Sequence, residues 1–79
     1  MVTTIYKVYG CDTGGYPVLH GEFLDPKLAC SYAVANHGKI HYNLPEVEKH
    51  TYCYDPEKQI VEATVDYLKP EEIRQIAQN

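Results

Sequence analysis

The chain has 79 residues, enough for one small core and too few for two, so it reads as a single domain over residues 1–79. At 44% hydrophobic and 23% charged, its composition is that of a folded globular chain rather than a disordered one. The net charge of −4 argues against direct nucleic-acid binding, because Arg74 is the sole arginine and Lys7, Lys27, Lys39, Lys49, Lys58 and Lys69 are scattered rather than clustered.

Thr4–Cys11, rich in Ile, Val and Tyr, predicts a first strand. Asp12-Thr13-Gly14-Gly15 is a turn signal, and Tyr16–Phe23 resumes as a second strand with Leu19, Gly21 and Phe23 on one face. The Gly14-Gly15 pair leads into a strand and lacks a following Lys-Ser/Thr, so a hairpin turn explains it better than a phosphate loop. Asp25-Pro26 starts a helix of about three turns. Leu28, Ala29, Tyr32, Ala33 and Ala35 form its apolar stripe, and Asn36-His37-Gly38 ends it.

Lys39–Tyr42 reads as a short extended segment, interrupted by Asn43-Leu44-Pro45. Val47–Tyr54 and Ile60–Leu68 then form a second hairpin around the turn residues Asp55-Pro56-Glu57-Lys58-Gln59. In the last strand Val61, Ala63, Val65 and Tyr67 alternate with Glu62, Thr64 and Asp66, the mark of one dry and one wet face. Lys69-Pro70-Glu71-Glu72 opens a short C-terminal helix whose apolar edge is Ile73, Ile76 and Ala77.

The expected fold is α+β: a four-stranded antiparallel sheet of two hairpins, with one helix packed on one face and a short C-terminal helix. The helix is expected to face Leu19, Phe23, Val61, Ala63 and Val65. The opposite face is then left with His20, Glu22, Glu62, Thr64, Asp66 and several tyrosines. Either face of Val47–Tyr54 contains plausible core residues.

The segment GEFLDPKLACSYAVANHGK, Gly21–Lys39, follows a Gly-rich hairpin and joins a strand ending in Phe23 to a helix capped by Asp25. With Ala29, Tyr32, Ala33 and Gly38 it resembles small uncharacterised proteins of phages and bacteria. Some small phage-encoded anti-CRISPR proteins are similar in element order. The resemblance implies a fold and a genomic setting, and it carries over no functional residue.

Cys11, Cys30 and Cys53 are odd in number, widely spaced and without a CxxC pair, so they read as reduced, buried or half-buried thiols. The N-terminus lacks the basic-then-apolar layout of a secretory signal, and no apolar run is long enough to span a bilayer. The expected location is the cytoplasm (the host's, if the chain is phage-encoded), with no membrane partner. Among His20, His37, His41 and His50, the His37/His41 pair has helical ligand spacing, but Gly38 between them ends the helix. No cofactor is implied, and a Cys–His nucleophile pair lacks a pocket to work in.

Eight tyrosines without a tryptophan are the stronger signal. Tyr6, Tyr9, Tyr42, Tyr52, Tyr54 and Tyr67 fall on extended segments, and one helix cannot bury them all. The expectation is a non-enzymatic protein-binding module whose recognition residues are Glu48, His50, Tyr52, Tyr54, Glu62 and Asp66. It would occlude or bridge a larger host protein, a nucleic-acid-handling one among the candidates, as an anti-CRISPR or other anti-defence inhibitor does. The alternatives are a small metal- or ligand-binding protein or enzyme using His37, His41, His50 and a cysteine, and a structural homo-oligomer. A homodimer through a sheet edge or the tyrosine face is compatible with the first reading.

Overall fold

The computed structural model describes residues 1–39 and 43–79. The extended segment expected over Lys39–Tyr42, with His41 and Tyr42, falls largely outside them. The element order is β1 (Val2–Cys11), β2 (Pro17–Phe23), α1 (Pro26–Ala35), β3 (Glu46–Asp55), β4 (Ile60–Tyr67) and α2 (Pro70–Gln78). The four strands form one antiparallel sheet in the order β2-β1-β3-β4, so the two hairpins join through β1 and β3. The fold class is therefore the expected α+β one. Strand β1 begins two residues earlier than its composition suggests, because Val2 and Thr3 pair with Cys53 and Tyr52.

Local chemistry explains the two hairpin turns and the helix ends. At the first hairpin the Asp12 carboxylate accepts hydrogen bonds from the Gly14 and Tyr16 N–H groups, both at 2.9 Å. At the second, the Asp55 carboxylate accepts from Glu57 N–H at 3.0 Å and Lys58 N–H at 3.4 Å. Helix α1 starts where the Asp25 carboxylate accepts from Lys27 N–H at 2.8 Å, with Pro26 in the first turn. It ends as the Asn36 amide donates to Tyr32 C=O at 2.8 Å and Gly38 takes a φ of +82°. At the start of α2, the Glu72 carboxylate accepts from Lys69 N–H at 3.1 Å.

The core sits where α1 crosses the row Gly21–Val8–Val47, three residues side by side on β2, β1 and β3. Val8, Val47, Ala29, Cys30, Ala33 and Ile73 are the buried apolar set. Gly21 leaves room there: a Cβ on it would lie 2.9 Å from the Phe23 ring, which lies back over the glycine, meets Tyr32 at 5.5 Å between centroids and would have to shift. Helix α2 docks on α1 rather than on the sheet, and inserts Ile73 into the core.

Two parts of the expected packing are corrected. Helix α1 buries Ala29, Cys30 and Ala33, whereas Leu28 and Ala35, expected on its inner stripe, are exposed. The helix is rotated so that small side chains meet the sheet, which lets it approach closely. More consequentially, Val61, Ala63 and Val65 do not face α1. Leu68 donates its N–H to Val47 C=O and packs on the core, so the even-numbered residues of β4 share the helix side and the odd ones point away. Leu19 is also turned away from the helices, because a bulge at His20 shifts the β1–β2 register between Phe23 and Leu19.

Two stability outcomes follow. Ile73→Ala should cost about 2–5 kcal/mol of unfolding free energy, the usual loss for a buried aliphatic truncated to alanine, read from urea denaturation midpoints. Asp25→Ala removes the α1 cap and should cost about 1 kcal/mol by the same measurement.

Candidate protein-binding face

The pairing register sorts the sheet into two faces. On the helix side the rows beyond the core run Phe23–Tyr6–Lys49–Asp66, Thr4–Thr51–Thr64 and Val2–Cys53–Glu62. On the open side they run Glu22–Lys7–Glu48–Tyr67, Ile5–His50–Val65, Thr3–Tyr52–Ala63 and Tyr54–Val61. A helix of ten residues is about 15 Å long and covers roughly two strands' width of a sheet whose strands lie ~4.8 Å apart. The half of the sheet near the β3–β4 turn is therefore polar where the helices could have covered it. It is apolar on the open side.

That open-side band is exposed. Val61 is 60% accessible, Val65 42%, Tyr54 43% and Tyr67 67%, and the whole of β4 is exposed. Ile5, His50 and Tyr52 are half-buried within it. The charges on the face are largely paired. The Glu48 carboxylate lies 2.8 Å from His50 Nε2, and the His50 ring stacks along the strand with Tyr52 at 6.3 Å between centroids. Lys7 Nζ approaches Glu22 at 3.5 Å. Desolvation acts to lower the Lys7 pKa, but Tyr52, Glu22 and Tyr9 together outweigh it and hold the ammonium above its ordinary value.

Of the six recognition residues expected from sequence, Glu48, His50, Tyr52 and Tyr54 share this open face. Glu62 and Asp66 do not; they project from the helix side of β4, opposite Cys53 and Lys49 in register. Val61, Val65, Tyr67 and Ile5, assigned to the core or left out of the site, belong to the face instead. Their alternation was visible in the sequence, but the side it pointed to was not.

The residues of the metal or nucleophile alternative are not brought together. His50 lies on the open face, His37 follows α1 on the other side of the sheet, and His41 lies outside the described residues. Cys53 projects on the side opposite His50. Among the described residues no three His, Cys, Asp or Glu groups are placed to hold a metal ion. A groove of about 340 Å³ opens between the start of β3, the end of β4 and α2, lined by Leu44, Val47, Leu68 and Ile73. Among the described residues, Glu46 is its one charged lining residue and no cysteine, histidine or serine lines it. No described helix is long and apolar enough to cross a membrane.

The three thiols differ in surroundings, and Cys53 is exposed rather than buried or half-buried as expected. Burial pushes the Cys30 thiol above its ordinary pKa, and Cys11 is intermediate in exposure. With a maleimide or iodoacetamide at neutral pH, Cys53 should be modified first and Cys30 only on unfolding, a ranking that peptide mass mapping over time checks. Cys30 reacting as fast as Cys53 in folded protein would contradict the packing of α1. No family model, curated protein or solved structure matches the chain.

Proposed function

We propose that the chain is a non-enzymatic protein-binding module that docks a larger protein against the open face of its sheet. The observation that carries this is the inversion near the β3–β4 turn, where the uncovered face is the apolar one. Val61 and Val65 stand in solvent while Glu62, Thr64 and Asp66 occupy the helix side. Exposed apolar side chains gathered on one rigid face, with tyrosines and a charged row along one end, have the make-up of a protein interface. Tyr52 and Tyr54 bring large contact area with little side-chain entropy to lose.

The mode of action proposed is occlusion of the larger protein. The resemblance of Gly21–Lys39 to small phage proteins supports an inhibitor of host defence, anti-CRISPR proteins included. The acidic residues enter differently from the expectation in sequence. Glu62 and Asp66 lie on the reverse side, so apolar burial on the open face drives association and those two carboxylates do not.

Affinity capture from host lysate with tagged protein tests this, read as stoichiometric co-purification. Tyr54→Glu combined with Tyr52→Glu should reduce capture at least tenfold, the scale of losing one interface anchor. Glu62→Lys combined with Asp66→Lys should leave it within a few-fold. The opposite pattern would move the site to the acidic side, and no captured protein from any host lysate would remove the reading.

A further inference from the structure

The two edges of the sheet are not alike. Strand β2 begins at Pro17 and carries the bulge at His20, two devices that keep a second chain from pairing along it. Strand β4 has neither. Its register with β3 is unbroken from Ile60 to Tyr67, it contains no Pro, Gly or Lys, and every residue in it is exposed. Its two charges, Glu62 and Asp66, both lie on the helix side.

The backbone parity of β4 follows from one bond. Leu68 N–H donates to Val47 C=O at 3.0 Å, so in an antiparallel ladder the even residues of β4 bond to β3. Val61, Ala63, Val65 and Tyr67 therefore point their N–H and C=O groups outward, along the free edge. These are also the residues of the open face.

We propose that β4 pairs antiparallel with β4 of a second copy, joining two sheets into one of eight strands about a twofold axis through Ala63. Charge selects this register. Centred on Ala63, the ladder sets Ala63 opposite Ala63, Val61 opposite Val65, Glu62 opposite Thr64 and Ile60 opposite Asp66. All outward N–H and C=O groups from Val61 to Val65 find partners, and no like charges meet. Centred on Thr64, the ladder sets Glu62 directly opposite Asp66 twice, in the closely spaced non-hydrogen-bonded pairs where like charges repel most. Centred on Glu62 or Asp66, it sets a carboxylate against itself. Centred on Val61 or Val65, it shortens the overlap. The second copy is thus the occupant that the charge pattern and backbone parity of β4 fit.

The twofold axis stands perpendicular to the sheet, so the two open faces lie on the same side and become continuous. Tyr52 and Tyr54 are on β3, away from the joint, and the inference does not depend on what those residues bind.

Light scattering on the full chain at micromolar concentration should give a mass of twice 9.0 kDa. Ala63→Pro removes an outward N–H without taking a bond from the β3 ladder, and should shift the mass to 9.0 kDa while circular dichroism keeps a cooperative unfolding transition. Because that variant could lose its fold, position-specific cross-linking provides an independent reading. With Cys53→Ser as background, Ala63→Cys should form an intermolecular disulfide under mild oxidation, its opposed Cα atoms being ~5.5 Å apart. Thr64→Cys in the same background should not, since two residues offset across the axis exceed the ~7 Å limit for bridging. A mass of 9.0 kDa for the unaltered chain, or equal cross-linking at both positions, would overturn the proposal.

Discussion

The alignment of Val8 with Val47 under α1 is the constraint on which the rest of the structure depends. These two valines, with Gly21 beside them in register, are buried in one cluster with Ala29, Cys30 and Ala33 of the helix. Side chains alternate strictly along a strand, so fixing the face of one residue fixes the face of every other residue in the ladder. Once Val8 and Val47 point at Ala29, Cys30 and Ala33, His50, Tyr52 and Tyr54 must point away. Through the β3–β4 register, so must Val61, Ala63 and Val65. A slip of one residue between β1 and β3, with Val8 held under the helix, would expose Val47 and bring Glu48 to the helix side. The cost of burying a charge adds to the loss of a buried valine in holding the register.

Coverage is the second determinant. Two helices of nine and ten residues are too short to roof a four-stranded sheet, and α2 rests on α1 instead of extending the roof over β4. The Cα envelope measures 46 × 33 × 16 Å, thin enough for one helix layer on one sheet layer and nothing more. The polar helix side of β4 suits this arrangement, since Glu62, Thr64 and Asp66 remain wet. The apolar side of the same strand has no such explanation within one chain. A surface of that composition is stable in water only as the small remainder that every small domain leaves exposed, or as a place where another chain lands.

The elements were legible in the sequence because their signals are local. Asp12, Asp25 and Asp55 announce the turns and the helix start by the backbone N–H groups their carboxylates accept from, and the alternation of Ile60–Leu68 announces a strand. The faces were not legible, because they depend on pairings between residues some forty positions apart, such as Val8 with Val47. Alternation shows that Val61 and Glu62 lie on opposite sides, and it is silent on which side the helix occupies. The candidate site inherited this ambiguity. Glu48, His50, Tyr52 and Tyr54 come from one strand at a spacing of two, so they stayed together. Glu62 and Asp66 come from the neighbouring strand with the opposite parity, so they parted from them. The rotation of α1, with Cys30 inside and Leu28 outside, was hidden for a related reason. Its apolar residues surround much of the helix, and only the narrow space over Gly21 and Val8 prefers the small ones.

The free edge of β4 and the open face share the residues Val61, Ala63 and Val65, yet they use different atoms. Edge pairing engages backbone N–H and C=O groups in the plane of the sheet; docking on the face engages side chains perpendicular to it. One strand can therefore do both at once. Joining two copies at the edge brings two exposed bands side by side without covering either, and each valine gains only a cross-strand neighbour. The apolar surface presented to a partner then roughly doubles, and a partner with two matching sites meets the second at the high effective concentration set by a rigid joint. The proposed edge pairing would give a wider face than one 79-residue chain presents, as the proposed docking on a larger protein calls for.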